Sequence, residues 1–353
     1  MTVAPHVTPT AGPVVRYTSC RIPTATATAE RAGLLAGLAP VTGGAFTPLR
    51  DLDPEQAEHH HQVHDTALFR EGGNIPPLWT RARGARTRLI GLTWIEEGQA
   101  IVTRTDAGIA GPGDLRGRRV AVPAARRREP QLARPVAMHG FTGALALAGL
   151  TLDDVHLVEV DSGAGDLRDF WRRQRLLPAQ PAVDAVADGR ADAAYLVGPA
   201  AAEYAARLGL VVAIDLDRAG DRRYRVNLGT PRAITVDQST LDTQPDLVVA
   251  YLARLIRAAD HAAHNRAEFV AAIAAQTGAQ IASVEAVYGA GAGRGDLRPR
   301  LDADLLDRYD QQKNFLLRHG FIDRDFDLYA WAAPEPLRLA TESLAGAGVG
   351  PAA

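Results

Sequence analysis

PAVDAVADGRADAAYLVG, residues 181–198, reads as a helix, a turn and a strand. LVVAIDL (210–216) closes the unit with a second apolar strand. Upstream, RRVAVPA (118–124) is a strand introduced by the turn-like GPGDLRG (111–117). VAMHGFTGALALAGL (136–150) is helical, and VHLVEV (155–160) is again a strand. The pattern extends outward in both directions. TRLIGLTWI (87–95), QAIVTRT (99–105) and RAITVD (232–237) are strand candidates, and long helices are expected over about 246–275 and 301–319. PVVRYTSC (13–20) reads as a strand that ends at Cys20, followed by helix-forming TATAERAGLLAGLA (26–39). Strands alternating with helices argue for parallel α/β sheets.

The chain has 353 residues, 46% of them hydrophobic and 23% charged, which is the globular range. Its formal net charge is -2 and no long basic run occurs, so nucleic acid is not an expected partner. No stretch approaches the roughly 18 apolar residues of a membrane span. The N-terminal MTVAPHVTPTAGPVV lacks a basic n-region and a long apolar core, so it does not read as a signal peptide. A single cysteine suits a reducing compartment. The expectation is a cytoplasmic protein.

Three segments carry chemistry. REGGNIPPL (70–78) combines an arginine, a permissive backbone and a stiff exit. Arginine stays charged and presents a planar fork of donors that suits two oxygens of one anion. Gly72, Gly73 and Asn74 allow consecutive N–H groups to converge as a nest, and the prolines fix the backbone beyond them. Two readings stand: an oxyanion cradle, or a surface turn whose Arg70 is solvated or pairs with Glu71.

Cys20 lies where a strand gives way to a helix, at the carboxyl end where open α/β sheets bind ligands. As a reactive group it needs a thiol pKa below the usual ~8.5. As a small buried apolar residue it needs nothing. EHHHQVHD (58–65) places His60 and His64 on one helix face. No cysteine or carboxylate cluster of ligand spacing accompanies them, so no metal site is expected. GAGAGRGDLRP (289–299) lacks the lysine and hydroxyl residue of a phosphate-binding loop and is read as a flexible connector.

The middle region, with DLRGRRVAVP (114–123), ALALAGLTLDDVHLVEV (144–160) and AVADGRADAAYLVGPAAAEYAARLGLVVAIDL (185–216), resembles solute-binding proteins for nitrate, sulfonates and taurine. That resemblance implies a two-lobed α/β fold of the type II periplasmic-binding-protein-like kind, with an interlobe cleft. Residues 1–13 would be a disordered tail, 14–104 and 228–345 lobe one, and 105–227 lobe two. YTSCRIP (17–23), HQVHDTALFREGGNIPPL (61–78) and QQKNFLLRHGFIDRDFDLYAWAAPEPL (311–337) resemble the aromatic sulfinate desulfinases that end dibenzothiophene desulfurisation.

A monomer is the default expectation for the fold, and this second resemblance implies a cofactor-independent enzyme. It would hydrolyse the C–S bond of 2'-hydroxybiphenyl-2-sulfinate, or a related sulfinate, to release sulfite. Cys20, His60 and Arg70 match the family's catalytic positions, with Arg70 and Gly73 on the sulfinate and Gly72 beside them. Arg21 and His61 stand where the family has proline and phenylalanine, so they would line a different substrate wall. The chain is also poor in rings, at 6% aromatic residues, so the reaction type can be kept while the substrate changes. The other reading is a non-catalytic binding protein for a sulfonate or similar anion. The 50–80 segment, polar and broken by GG and PP, is expected to be a mobile loop over the cleft.

Overall fold

The computed structural model describes residues 14–18, 23–49, 68–125, 131–161, 180–288 and 295–347. Eleven strands among these residues form two sheets. They are β1 (Val14–Thr18), β2 (Ala45–Pro48), β3 (Leu68–Gly72), β4 (Thr87–Ile95), β5 (Ala100–Arg104), β6 (Arg119–Pro123), β7 (His156–Val160), β8 (Ala193–Leu196), β9 (Leu210–Asp215), β10 (Arg232–Asp237) and β11 (Gly295–Arg300). The first sheet has the order β11-β4-β10-β3-β1-β2, the second β7-β6-β8-β5-β9. β10 returns from the second lobe and inserts antiparallel between β3 and β4. β1 runs parallel to β3, so both end at the same edge of the sheet, with Thr18 opposite Arg70.

Every residue of β10 is buried, and all but one of β4, as expected of strands covered on both faces. The helix Pro245–His264 lays an apolar face of Leu247, Val248, Tyr251, Leu252, Leu255 and Ile256 on one side of the first sheet. The helices Ala133–Ala146 and Ala303–Arg318 meet in a cluster drawing on both sheets, which includes Trp94, Phe141, Tyr195, Leu305 and Tyr309. Lys313 is nearly buried on the second of these helices, where its Nζ meets Asp310 at 3.0 Å and Asp325 at 2.7 Å.

Several expectations are corrected. Strand β5, placed above in lobe one, pairs with β8 and β9 of the second sheet. The chain therefore crosses at Glu96–Gln99, before the boundary expected at 105, and it returns between Leu216 and Pro231. The helix expected over 246–275 breaks at Asn265, whose Nδ2 donates to the His261 carbonyl at 2.9 Å; asparagine competes with the helical ladder in this way. The end of the glycine-rich connector, 295–300, is an edge strand on β4, with a register shift at Pro299's neighbourhood. Of the 50–80 segment expected to be a mobile loop, residues 50–67 lie outside the described residues, and the rest is β3, a Gly73–Asn74 link and a helix Ile75–Ala82. Among the described residues, no single helix is long and apolar enough to cross a membrane.

Candidate active site

β3 is buried at every position, and successive side chains on a strand point to opposite faces. This separates two adjacent charged residues. Arg70, 3% exposed, turns back along its own chain, where Nη2 donates to the Gly73 carbonyl at 3.0 Å. Glu71, fully buried, faces the start of the helix Ala25–Arg31. Its Oε1 accepts from the Ala25 N–H at 3.0 Å and its Oε2 from the Thr26 N–H at 2.6 Å. Burial raises the Glu71 pKa, and the two N–H donors and Thr26 pull it back down. Glu71 is thus committed to the helix start, which decides against its pairing with Arg70.

The glycine segment departs from a simple nest. Gly72 closes β3 opposite Ala233. Gly73 lies under Leu228: a Cβ there would come within 2.6 Å of Leu228 Cδ1. The Asn74 N–H is taken by the Leu228 carbonyl at 2.7 Å, so it is not one of a run of convergent donors. The Asn74 side chain is buried and its Nδ2 donates twice, to the carbonyls of Asn227 (2.7 Å) and Pro231 (2.8 Å). Pro76 and Pro77 occupy the first turn of the Ile75–Ala82 helix, where a missing N–H costs nothing. The prolines therefore begin a helix as well as stiffening the exit from the glycines.

The turn after β1 is held from a second side. Arg232, at the start of β10 and 1% exposed, donates through Nη1 to the Pro23 carbonyl at 2.6 Å. Its Nη2 contacts Glu97 on the first crossing. Burial raises the Glu97 pKa, and Arg232 opposes that shift. Glu96 accepts from Trp94 Nε1 at 2.8 Å and Arg225 Nη1 at 2.7 Å. Asp217 accepts from the Gly98 N–H at 2.7 Å and the Gln99 N–H at 3.2 Å, and its pKa is pushed up to about 7 by burial and then by the neighbouring Glu96.

Arg70, Gly72 and Gly73 thus share one edge of the first sheet. Cys20, Arg21, His60 and His61 lie outside the described residues. Sequence reasoning missed Glu71 as a helix cap, the side-chain grip of Asn74 on the return crossing, Arg232 and Glu97. The available signals were charged residues inside apolar strand runs and the asparagine that closes REGGN. A cavity of about 390 Å3 opens between the helices Ala133–Ala146 and Ala303–Arg318 and the turn at Arg223–Tyr224. It is bordered by His139, whose ring stacks on Phe315 at 4.0 Å and whose Nδ1 meets Gln312 Oε1 at 2.6 Å. Burial lowers the His139 pKa to about 4, so this imidazole is neutral near pH 7.

Two sheets joined by two crossings, with one antiparallel strand returned to the first, define the solute-binding-protein fold. The periplasmic aliphatic sulphonate binding protein SsuA of Escherichia coli shares it, with TM-score 0.63, 15% identity, and 91% of each chain covered. No family model matches the chain. The chain is 30% identical over 352 residues to 2'-hydroxybiphenyl-2-sulfinate desulfinase of Rhodococcus erythropolis, covering 90% of this chain and 91% of that one. It belongs to that desulfinase family. The desulfurization enzyme DSZB, solved as a cysteine-to-serine variant with biphenyl-2-sulfinic acid, superposes with TM-score 0.71 at 27% identity, covering 94% of this chain and 99% of that one.

Proposed function

We propose that this protein is a desulfinase that cleaves the C–S bond of an aromatic sulfinate with water. The balance is ArSO2− + H2O → ArH + HSO3−. The fold alone does not carry this reading, because binding proteins share it. The observation that carries it is the buried Arg70 at the edge where β1 and β3 both end, inside a chain related over nearly its whole length to a sulfinate-cleaving enzyme.

In this reading the Arg70 guanidinium holds the sulfinate oxygens by charge-assisted hydrogen bonds, and the backbone at Gly72 and Gly73 approaches closely because no side chain intervenes. Cys20 supplies the thiol, with His60 as its partner. Two balanced routes fit. A Cys20 thiolate attacks sulfur, the aryl group leaves with a proton, and water then releases bisulfite from the S–SO2 species. Alternatively, the thiol protonates the ring carbon, SO2 departs and water captures it. Arg21 and His61 would face the aryl group and shift preference away from a plain biphenyl. Support for a cysteine comes from the relative whose cysteine-to-serine variant was solved with a sulfinic acid.

The experiment is sulfite release from 2'-hydroxybiphenyl-2-sulfinate and a panel of smaller aryl sulfinates. The wild-type chain should release sulfite from at least one, and Cys20→Ser should release none while melting at the same temperature. Tight binding of sulfinates or sulfonates with no sulfite formed by the wild type would make the protein a binding module.

A further inference from the structure

The hydrogen bonds that hold the anion cradle do not stop at the first lobe. Asn74 grips the return crossing three times, through its N–H to Leu228 and its Nδ2 to Asn227 and Pro231. Asn227 in turn uses both Nδ2 protons on the second lobe: one to the Val136 carbonyl at 3.0 Å, one to Tyr195 Oη at 2.9 Å. Tyr195 stands on β8, 3% exposed, and its hydroxyl donates to Gln99 Oε1 at 2.8 Å. Gln99 lies on the first crossing, and its Nε2 reaches the Arg225 carbonyl (2.8 Å) and Thr230 Oγ1 (3.1 Å) on the second. The Tyr195 ring has no room to swing: a Cβ on Gly140 would lie 2.2 Å from it. From Asn74, the chain neighbour of Gly73, the path through Asn227 and Tyr195 to Gln99 is therefore continuous, buried and hydrogen-bonded at each step.

We propose that Tyr195 and Asn227 are positioning residues for sulfinate binding, which transmit the setting of the second lobe to Gly73 and Arg70. This rests on the desulfinase reading. Rotation of one lobe against the other must either break the bonds of Asn227 to Val136 and Tyr195 or carry the 227–231 turn along. That turn holds Asn74, and the next residue upstream is Gly73, whose carbonyl receives Arg70. Neither Tyr195 nor Asn227 is assigned to the substrate; both act through the cradle.

The test is calorimetric titration with benzenesulfinate in a Cys20→Ser chain, which prevents turnover. Tyr195→Phe removes one hydroxyl and keeps the ring. It should weaken binding about tenfold, since residues held in one hydrogen-bond network act on each other's energetics. In an Arg70→Lys background the same change should weaken binding less than about twofold, because the group it acts through is already lost. Gln99→Met, which unseats the same hydroxyl from the other side, should repeat the pattern if Tyr195→Phe fails to fold. Unchanged affinity in a folded Tyr195→Phe chain, or an equal loss in both backgrounds, overturns the coupling and leaves the desulfinase reading intact. Absence of sulfinate binding by the parent chain overturns both.

Discussion

Arg70 and Glu71 are neighbours in sequence with unrelated tasks, and the pleat of one strand explains it. Replacing Arg70 by lysine keeps the charge but loses the planar fork, so kcat/KM for sulfinate should fall by at least about tenfold. A surface arginine would tolerate the change, and near-normal kinetics would remove Arg70 from the site. Gly73 makes a sharper test. A methyl group at 73 would drive into Leu228, and overpacking of that kind typically costs about 1–3 kcal/mol. Gly73→Ala should lower both stability and activity, and adding Leu228→Ala should restore stability by making room. Failure of the second change to restore the melting temperature would show that Leu228 is not what excludes a side chain at 73. Arg70 and Gly73 stood out as candidates because REGGNIPPL combines charge, freedom and stiffness in nine residues. The partners of Glu71, Asn74 and Arg232 were not, because each lies far along the chain: Ala25 and Thr26, Asn227 and Pro231, Pro23.

Among elements, the helix Ala133–Ala146 shows how glycine sets packing distance. Gly140 lies flat on the Tyr195 ring, and a Cβ on Gly143 would sit 2.1 Å from the Tyr224 carbonyl oxygen. His139, on the same helix, is buried against Phe315 and stays neutral. Its folded pKa, about 4, lies below the ordinary 6.5. Below pH 6.5 the unfolded chain takes up a proton that the folded chain refuses. Stability from this residue is therefore complete above that pH and declines as pH falls towards 4, by about 3 kcal/mol at most. His139→Gln should flatten that part of the profile in urea denaturation measured from pH 7 to 4.5; an unchanged slope would mean that His139 protonates freely in the fold. Strands were the most legible elements, because β4, β5, β6, β9 and β10 are short apolar runs with clear ends. β11 was missed because glycine and Pro299 mark it as a connector, and only its place at a sheet edge makes that composition tolerable. The break at Asn265 was missed because the apolar spacing continues through it.

At the scale of the whole molecule, the crossings between the two lobes carry charge: Glu96, Glu97 and Arg232 are buried, and Asp217 and Arg225 are half-buried beside them. The two-lobed fold was legible from the alternation of strands and helices and from the middle region. The point of crossing was not, because QAIVTRT is an apolar strand that would suit either sheet, and only pairing with β8 and β9 assigns it. Asp217 makes the crossing sensitive to pH. Its folded pKa, about 7, is above the ordinary 3.8, so in that interval the folded chain holds a proton that the unfolded chain has lost. Stability from this group is complete below about pH 4 and is lost as pH rises through 7. Asp217→Asn should remove that part of the slope between pH 5 and 8, opposite in sign to the effect of His139. A wild-type and variant difference that stays constant over the interval would show that Asp217 is ionised throughout.

The return crossing also sets a rule for recombination. Residues 227–231 belong by contact to the cradle and by sequence to the end of the second lobe, so a chimera made by exchanging lobes between relatives has no neutral breakpoint there. A junction placed between 216 and 226 would leave a native Asn227 facing a foreign Tyr195 and Val136 position. A junction placed after Pro231 would carry a foreign turn onto a native Asn74. Only an exchange that moves Asn74, Asn227 and Tyr195 as one set keeps the three partners matched, and lineages that diversify this protein by swapping blocks should inherit those positions together.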